Sequence, residues 1–268
     1  MSAQPAPAVT FAALPEASPI PAVLAAQLSD RAAGLDLFGR LKAARAAVAG
    51  RLAFTTSFGI EDQAIVHAIF AQDLDVDVVT LETGRLFPET HQVWAETEER
   101  YGKRIHAFAP DGLSVEKLLS EQGINGFRSS IAARQACCHV RKVVPLARAL
   151  AGAEGWITGL RIEQSVDRAD TRLAEHDRAR NLIKINPLFD WSRQRVVDFV
   201  VKENIPHNTL HDRGFASIGC APCTRAIGPD EPERAGRWWW EQQDQKECGL
   251  HVHPAGAQSA AIAPTARI

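Results

Sequence analysis

The residues best equipped for chemistry in this 268-residue chain lie at Ala136-Cys137-Cys138-His139-Val140-Arg141-Lys142. Side chains one residue apart on a helix point about 100° away from each other, so a packed core would rarely take both thiols as small hydrophobes. A second pair, Cys220-Ala221-Pro222-Cys223, follows farther along, and the pattern suggests thiolates converging on one inorganic centre. Zinc takes its ligands in a tight tetrahedron, commonly from two Cys-x-x-Cys pairs, which suits adjacent cysteines poorly. An iron–sulfur cube offers its irons at separate corners, one thiolate each, and accepts neighbours more easily. Lys142 is four residues after Cys138 and on the same helix face, within reach of both a cluster and a bound anion. Its ordinary alternative is a solvated lysine.

Five cysteines make an odd count, and Cys248 is left over in Lys246-Glu247-Cys248-Gly249-Leu250-His251. Nearby cations lower a thiol pKa and favour the nucleophilic thiolate, while weak apolar periodicity around Cys248 argues against the buried, inert alternative. Candidate anion binders lie elsewhere. Thr56-Ser57-Phe58-Gly59-Ile60-Glu61-Asp62 spans a strand-to-helix junction, where hydroxyls and N–H groups can cradle phosphate, although an ordinary capped helix start would read the same. No Gly-Lys-Ser/Thr follows, so it is not a Walker A loop. Gly159-Leu160-Arg161 with Arg168 puts a glycine and planar guanidinium forks after another strand, as Arg234 and Arg237 do beside Trp238-Trp239-Trp240. Surface salt bridges are the alternative for the arginines, and packing is the simplest use of the tryptophans.

The elements that must position these groups alternate. Val23 to Val48 carries a helical period and Gly50 stops it; then come strands at Leu52–Thr56, Asp75–Leu81, Ile105–Phe108, Gly155–Thr158 and Leu182–Ile185. Helices are predicted at Glu61–Ala71, from Pro88, at Ser114–Glu121, Cys138–Leu150 and Ser192–Glu203. Strands alternating with helices of this length predict an α/β fold with a mostly parallel sheet covered on both faces, whose ligand sits beyond the carboxyl ends of the strands. Periodicity fades from His207 to His253, a loop long enough to expect function in it. The expected organisation is a disordered Ala/Pro-rich tail over 1–22, one domain over 23–253 with a mobile segment at 226–253, and a second disordered tail over 254–268.

Composition sets bounds without naming a function. The hydrophobic fraction of 46% and charged fraction of 23% are ordinary for a globular chain, and a net charge of -2 gives no bulk attraction to nucleic acid or anionic membrane. No signal peptide and no membrane-spanning apolar run is visible. The expectation is a cytoplasmic protein, where closely spaced cysteines mean metal or redox chemistry more often than disulfides.

Taken together, these stretches resemble the assimilatory sulfonucleotide reductases, in particular the adenylyl-sulfate (APS) reductases that carry a 4Fe-4S cluster. The resemblance runs in order from Leu52 to His251. It rests on Ser57-Phe58-Gly59-Ile60-Glu61-Asp62-Gln63, Glu82-Thr83-Gly84-Arg85-Leu86-Phe87-Pro88, the tandem cysteines with Arg141-Lys142, and Gly159-Leu160-Arg161 with Gln164-Ser165. It continues through Lys184-Ile185-Asn186-Pro187-Leu188, His211-Asp212-Arg213-Gly214, Ile218-Gly219-Cys220-Ala221-Pro222-Cys223, Gly236-Arg237-Trp238-Trp239-Trp240 and Glu247-Cys248-Gly249-Leu250-His251. Glu82 stands where the family often has Asp, and His207 and Thr209 stand where Tyr and Pro are frequent.

The resemblance implies an adenine-nucleotide-hydrolase-like (Rossmann-like) fold, cluster ligands at Cys137, Cys138, Cys220 and Cys223, and Cys248 as the nucleophile that takes the sulfuryl group from APS. AMP leaves, and thioredoxin (or glutaredoxin) then releases sulfite, the reductive step of sulfate assimilation and cysteine biosynthesis. Lys142, Arg234, Arg237 and His251 match the positions that hold the sulfate and phosphate end. Thr56, Ser57, Leu81 and Gly159 match the nucleotide-cradling loops, and Gly84, Arg85 and Arg161 join them as substrate-binding residues. The family further implies a homo-oligomer. Two alternatives stand beside this reading: 3′-phosphoadenylyl sulfate (PAPS) as substrate, and a zinc-stabilised module that binds adenine nucleotides without turning them over.

Overall fold

The computed structural model of the chain describes residues 21–241 and Leu250. Its elements are α1 (Pro21–Ala32), α2 (Leu37–Ala47), β1 (Arg51–Thr56), α3 (Ile60–Ala71), β2 (Asp77–Leu81), α4 (Pro88–Tyr101), β3 (His106–Phe108) and α5 (Gly112–Gln122). They continue with α6 (Ile131–Cys138), a π-helical turn (His139–Val143), α7 (Val144–Ala149), β4 (Ala153–Ile157), β5 (Ala174–Asp177), β6 (Leu182–Ile185) and α8 (Arg193–Lys202). The strands form one six-stranded sheet in the order β3-β2-β1-β4-β6-β5. Every pairing is parallel except β5 against β6. The expected α/β fold is thus present, with one strand that periodicity did not find: Ala174-Glu175-His176-Asp177 is short and polar at three of its four positions, as an edge strand paired on one side can be.

Side chains alternate across the sheet and fill two cores. Phe54, Ile157 and Ile183 point into the larger core, with Leu41, Ile65 and Val196 from α2, α3 and α8. Ala53, Trp156 and Leu182 point to the other face, where Leu146 and Leu150 cover them. Burying one such aliphatic or aromatic side chain is worth about 1.5–3 kcal/mol, so the period-two pattern of β1, β4 and β6 fixes their register.

The order in which the strands are added reverses at the centre of the sheet. From β1 the order proceeds to β2 and β3 on one side and to β4 and β6 on the other, so β1 and β4 flank a topological switch point. Ligands of open α/β sheets bind outside the strand ends at such a point.

The helix expected at Cys138–Leu150 begins earlier, at Ile131, where the Ser130 side chain caps it by accepting from Ala133 N–H, and it is interrupted by the π turn. Pro145 supplies a reason. It lacks the N–H that would bond the Arg141 carbonyl four residues back, and the ladder loosens in the turn before it. Among the described residues after α8 there are only short 3₁₀ turns, at His211–Arg213 and Ala221–Cys223, and one isolated bridge between Thr224 and Arg237. In the stretch expected to be mobile, Trp238 and Arg237 are buried against the body. Residues 242–249 and 251–253 of that stretch, residues 1–20 of the first expected tail and the whole of the second lie outside the described residues.

Candidate functional site

A cavity of about 200 Å³ opens at the switch point. Its floor comes from the loops that follow β1 and β4. Thr56 Oγ1 accepts the Phe58 N–H at 3.0 Å, and Phe58 holds a left-handed backbone at φ 59° while its ring stacks on Trp94 at 5.5 Å. A non-glycine residue in that region is strained, and such strain is found mainly where function requires a particular turn. The turn leads into α3 without a side-chain cap, so its first N–H groups are left for another partner.

Asp62, in the first turn of α3, faces back across this loop. Its Oδ2 accepts the Ser57 N–H at 2.6 Å and the Ser57 hydroxyl at 2.8 Å. Gly159, after β4, is there because a Cβ would collide with Asp62 Oδ1. Burial pushes the Asp62 carboxyl up to about 6; the two Ser57 bonds pull it down, Glu61 pushes it farther up and Arg168 opposes.

The opposite charge gathers toward Cys220. Lys142, Arg234 and Arg237 all line the same cavity as Thr56, Ser57 and Gly159. Arg237 Nη1 donates to the Ile218 carbonyl at 3.1 Å, and its guanidinium occupies the space a Cβ of Gly219 would need. Burial pushes the Cys220 thiol up, but Lys142, a hydrogen bond with Thr83, Arg237 and Arg141 together bring it below its ordinary value. Thr83 Oγ1 and Cys220 Sγ are 3.3 Å apart.

Beneath lies a second cavity, lined by Cys137, Cys138, Cys220 and Cys223. All four thiols are free of disulfides. Burial and the neighbouring Cys220 push Cys223 up to about 11, and burial raises Cys137 as well. Two buried donors belong to residues lining this cavity, the Trp238 Nε1–H and the Arg141 Nε–H, and neither has an acceptor among the described residues. Among the described residues no three His, Cys, Asp or Glu side chains are gathered so as to hold a metal ion; the cysteines surround a space and do not meet at a point. Lys142, Cys220 and Trp238 line both cavities.

The expected site residues therefore separate into groups. Thr56, Ser57, Leu81, Lys142, Gly159, Arg234 and Arg237 meet at the upper cavity. Arg161 is held elsewhere: wholly buried, it donates through Nε and Nη2 to Glu61 Oε1 and through Nη2 to both oxygens of Glu233 at 2.9 Å. Arg85 turns toward the thiols, bonding the Ile124 carbonyl at 2.8 Å with its guanidinium over the Phe127 ring. Gly84 takes φ 69° in the loop after β2, close to the Arg141 guanidinium, which donates to the Thr83 carbonyl at 2.6 Å. Cys248 and His251 lie outside the described residues, but Leu250 between them lines the upper cavity.

Sequence reasoning gave no role to Asp62, Glu61 or His211, all of which line the cavity. Paired acids at the start of the helix after β1 were a signal that could have been used. For His211 the signal was its place in the His211-Asp212-Arg213-Gly214 motif. Its Nδ1 donates to the Phe215 carbonyl at 2.8 Å, and its buried Nε2 has no partner among the described residues. Burial holds its pKa below the ordinary value, with Glu61 opposing.

A parallel sheet with its cavity at the switch point, hydroxyls and an uncapped helix at one end and cations at the other, defines an α/β protein that binds an anionic nucleotide. Comparison with known proteins narrows the class. Residues 51–226 match the model of the phosphoadenosine phosphosulfate reductase domain, and the chain belongs to that family. A relative from Agrobacterium fabrum named adenosine 5′-phosphosulfate reductase is 57% identical over 233 residues, covering 87% of this chain and 88% of that one. One of the same name from Allochromatium vinosum is 50% identical over 200 residues, 75% of this chain and 78% of that one. The crystal structure of phosphoadenylyl-sulfate (PAPS) reductase from Candida auris, a phosphate complex, superimposes with a TM-score of 0.65 at 25% identity, covering 75% of this chain and 95% of that one.

Proposed function

We propose that the chain is an adenylyl-sulfate reductase that converts APS to sulfite and AMP with electrons from thioredoxin, through a thiosulfonate on Cys248. The observation that carries this is the meeting of Lys142, Arg234 and Arg237 with the nucleotide-cradling residues Thr56, Ser57 and Gly159 in one cavity. The high identity to relatives named for APS reduction supports the same substrate.

The reaction balances without another oxidant. The Cys248 thiolate attacks the sulfuryl sulfur, an S–S bond forms, and the S–O bond to the phosphate breaks to release AMP. Lys142, Arg234 and Arg237 stabilise the charge that grows on the departing phosphate. One thioredoxin thiolate then attacks the Cys248 sulfur and expels sulfite; the second thiol of thioredoxin closes its disulfide and returns the Cys248 thiol. The dithiol supplies both electrons. Glutaredoxin would serve by the same chemistry.

Cys137, Cys138, Cys220 and Cys223 would hold a 4Fe-4S cluster. The arrangement fits: thiols surround a space, and the unpartnered N–H donors of Trp238 and Arg141 would find acceptors in inorganic sulfide. Bound there, the cluster would supply fixed charge that sets the field at Lys142, with no electrons passing through it. A cytoplasmic homo-oligomer accords with this reading; among the described residues no helix is long and apolar enough to cross a membrane.

The test is sulfite release from APS by purified protein with reduced thioredoxin, alongside Cys248→Ser. The wild type should turn over and the variant should not, while still binding AMP. Full turnover by Cys248→Ser would remove the nucleophile assignment, and sulfite from PAPS alone would replace the substrate.

A further inference from the structure

The charges on the cavity wall are sorted. Lys142, Arg237 and Arg141 are the cations that act most strongly on Cys220, whereas the charges that act most strongly on Asp62 are Glu61 and Arg168. The cavity thus has a cationic end above the thiols and a carboxylate at the end where the β1 and β4 loops converge. Asp62 is built into that end: Oδ2 is fixed by both donors of Ser57, and Oδ1 lies against Gly159, where only a hydrogen leaves it room.

A phosphosulfate and a nucleoside differ in what they ask of such walls. The anhydride needs cations, and the sugar carries hydroxyls that a carboxylate accepts. A carboxylate beside a ribose binds the free hydroxyl and repels a phosphate in its place, the device by which dinucleotide sites separate NAD from NADP. Rejection by like charge is stronger than any gain from one more hydrogen bond.

We infer that Asp62 is the specificity-determining residue that selects a sulfonucleotide with an unphosphorylated ribose and excludes one with a 3′-phosphate. The inference rests on the proposed sulfonucleotide reading and goes beyond it by assigning the discrimination to one side chain. Arg168 explains why exclusion needs a carboxylate at all. Its guanidinium lies near enough to act on Asp62 and would attract a 3′-phosphate once that charge is removed. Arg161, Glu233 and His211 act on this corner through Glu61, so the charges facing Asp62 are Glu61 and Arg168, with these three behind.

The discriminating experiment separates binding from turnover. Affinities for AMP and for adenosine 3′,5′-bisphosphate are measured by calorimetry on wild type, Asp62→Asn and Asp62→Glu, and kcat/KM is measured for APS and PAPS on the same proteins. In the wild type the unphosphorylated ligand should win in both measurements. Asp62→Asn should shift the ratio toward the 3′-phosphorylated ligand by about tenfold or more, expressed in KM more than in kcat, and Asp62→Glu should retain the wild-type preference. Because the Asp62 carboxyl titrates near 6, lowering the pH from 8 to about 5.5 should erode wild-type discrimination between the two ligands more steeply than in Asp62→Asn. The comparison with Asp62→Asn corrects for titration of the ligand phosphate itself. An unchanged ratio in Asp62→Asn overturns the inference, and so does an equally steep pH dependence in both proteins. If neither sulfonucleotide is reduced but AMP binds in preference to the bisphosphate, the reductase reading fails and the role of Asp62 survives. If a variant does not fold, the pH dependence of wild-type binding still decides: an unvarying preference for AMP between pH 8 and 5.5 overturns the inference.

Discussion

The Arg161 guanidinium reaches Glu61 through both Nε and Nη2, at 2.9 and 2.8 Å, with the arginine shut away from solvent. Burial alone would raise the Glu61 pKa, but Arg161 holds it below its ordinary value; Glu233, beside Glu61 and less well compensated, is raised by burial and that neighbour. The guanidinium therefore ties the start of α3 to the loop after β4 and to the segment bearing Arg234. Arg161→Ala should cost about 3–5 kcal/mol, because Glu61 would be left buried without its counter-charge and Glu233 would keep Arg193, at 3.6 Å, in place of two guanidiniums. Urea unfolding followed by circular dichroism measures it, and Arg161→Met with Glu61→Gln should recover part of the loss. A cost below about 1 kcal/mol would mean that the pair is solvated.

Asp62 gives a stability prediction of the opposite sign. Its folded pKa, about 6, exceeds the ordinary 3.8, so the folded protein binds this proton more tightly than the unfolded chain. Its contribution to stability is most favourable below the unfolded value and is lost as pH rises through the folded one. Asp62→Asn should therefore be more stable than wild type at pH 8, by on the order of 1–3 kcal/mol, with the difference vanishing near pH 4. A stabilised variant with altered substrate choice is the trade-off expected of a residue kept for function. Melting temperatures of both proteins across that range test it.

Much of this was legible in the chain. Period-two runs around Phe54 and Ile157 placed the central strands, and the glycine and hydroxyl positions after them placed the cavity. What was not legible depends on partners far away in sequence. Arg161 has the same residue type and loop position as a ligand-binding arginine; only the arrival of Glu61 and Glu233, 100 and 72 residues away, shows that its donors are taken. The edge strand at Ala174–Asp177 has no apolar alternation because it pairs on one side only, and the π turn depends on the place of Pro145 within a helix that otherwise reads as continuous.

Lys142 lines both the nucleotide cavity and the thiol cavity, and its charge lowers the Cys220 thiol. Lys142→Ala should reduce kcat/KM for APS by about 10²–10³, the range for losing one donor to a developing oxyanion, with a smaller effect on AMP affinity. Lys142→Arg should restore only part, since a planar fork does not replace a compact ammonium. An unaffected rate in Lys142→Ala would sink this role.

The thiol cavity predicts a metal content. Protein purified without oxygen should carry about four irons and absorb broadly near 400 nm, and Cys220→Ser or Cys223→Ser should lose most of that iron and colour. Trp238→Phe removes the unpartnered Nε1–H but keeps the ring that two guanidiniums face, Arg134 at 4.5 Å and Arg237 at 4.8 Å. It should retain the iron yet shift the absorption or reduction potential, as expected when a donor to sulfide is lost. Stoichiometric zinc without iron in protein from iron-replete cells would rule out the cluster.

Leu250 offers a test of how the segment bearing the proposed nucleophile is held. Its side chain packs against the core face made by Ala53, Leu146 and Trp156, and its carbonyl accepts from Arg180 Nη2 at 3.0 Å. Arg180 is itself placed by Asp177 at 2.7 Å and by the Trp156 ring at 5.0 Å. One contact grips the side chain and the other the backbone of the same residue, two positions from Cys248, so both should serve a single ordered arrangement. Arg180→Gln and Leu250→Ala should each raise KM for APS several-fold, the price of ordering a freed segment on binding. In the double variant the losses should fall short of their sum, because a segment released by the first change has little left to lose to the second. Additive effects would mean that the two contacts act independently and that neither positions the thiol.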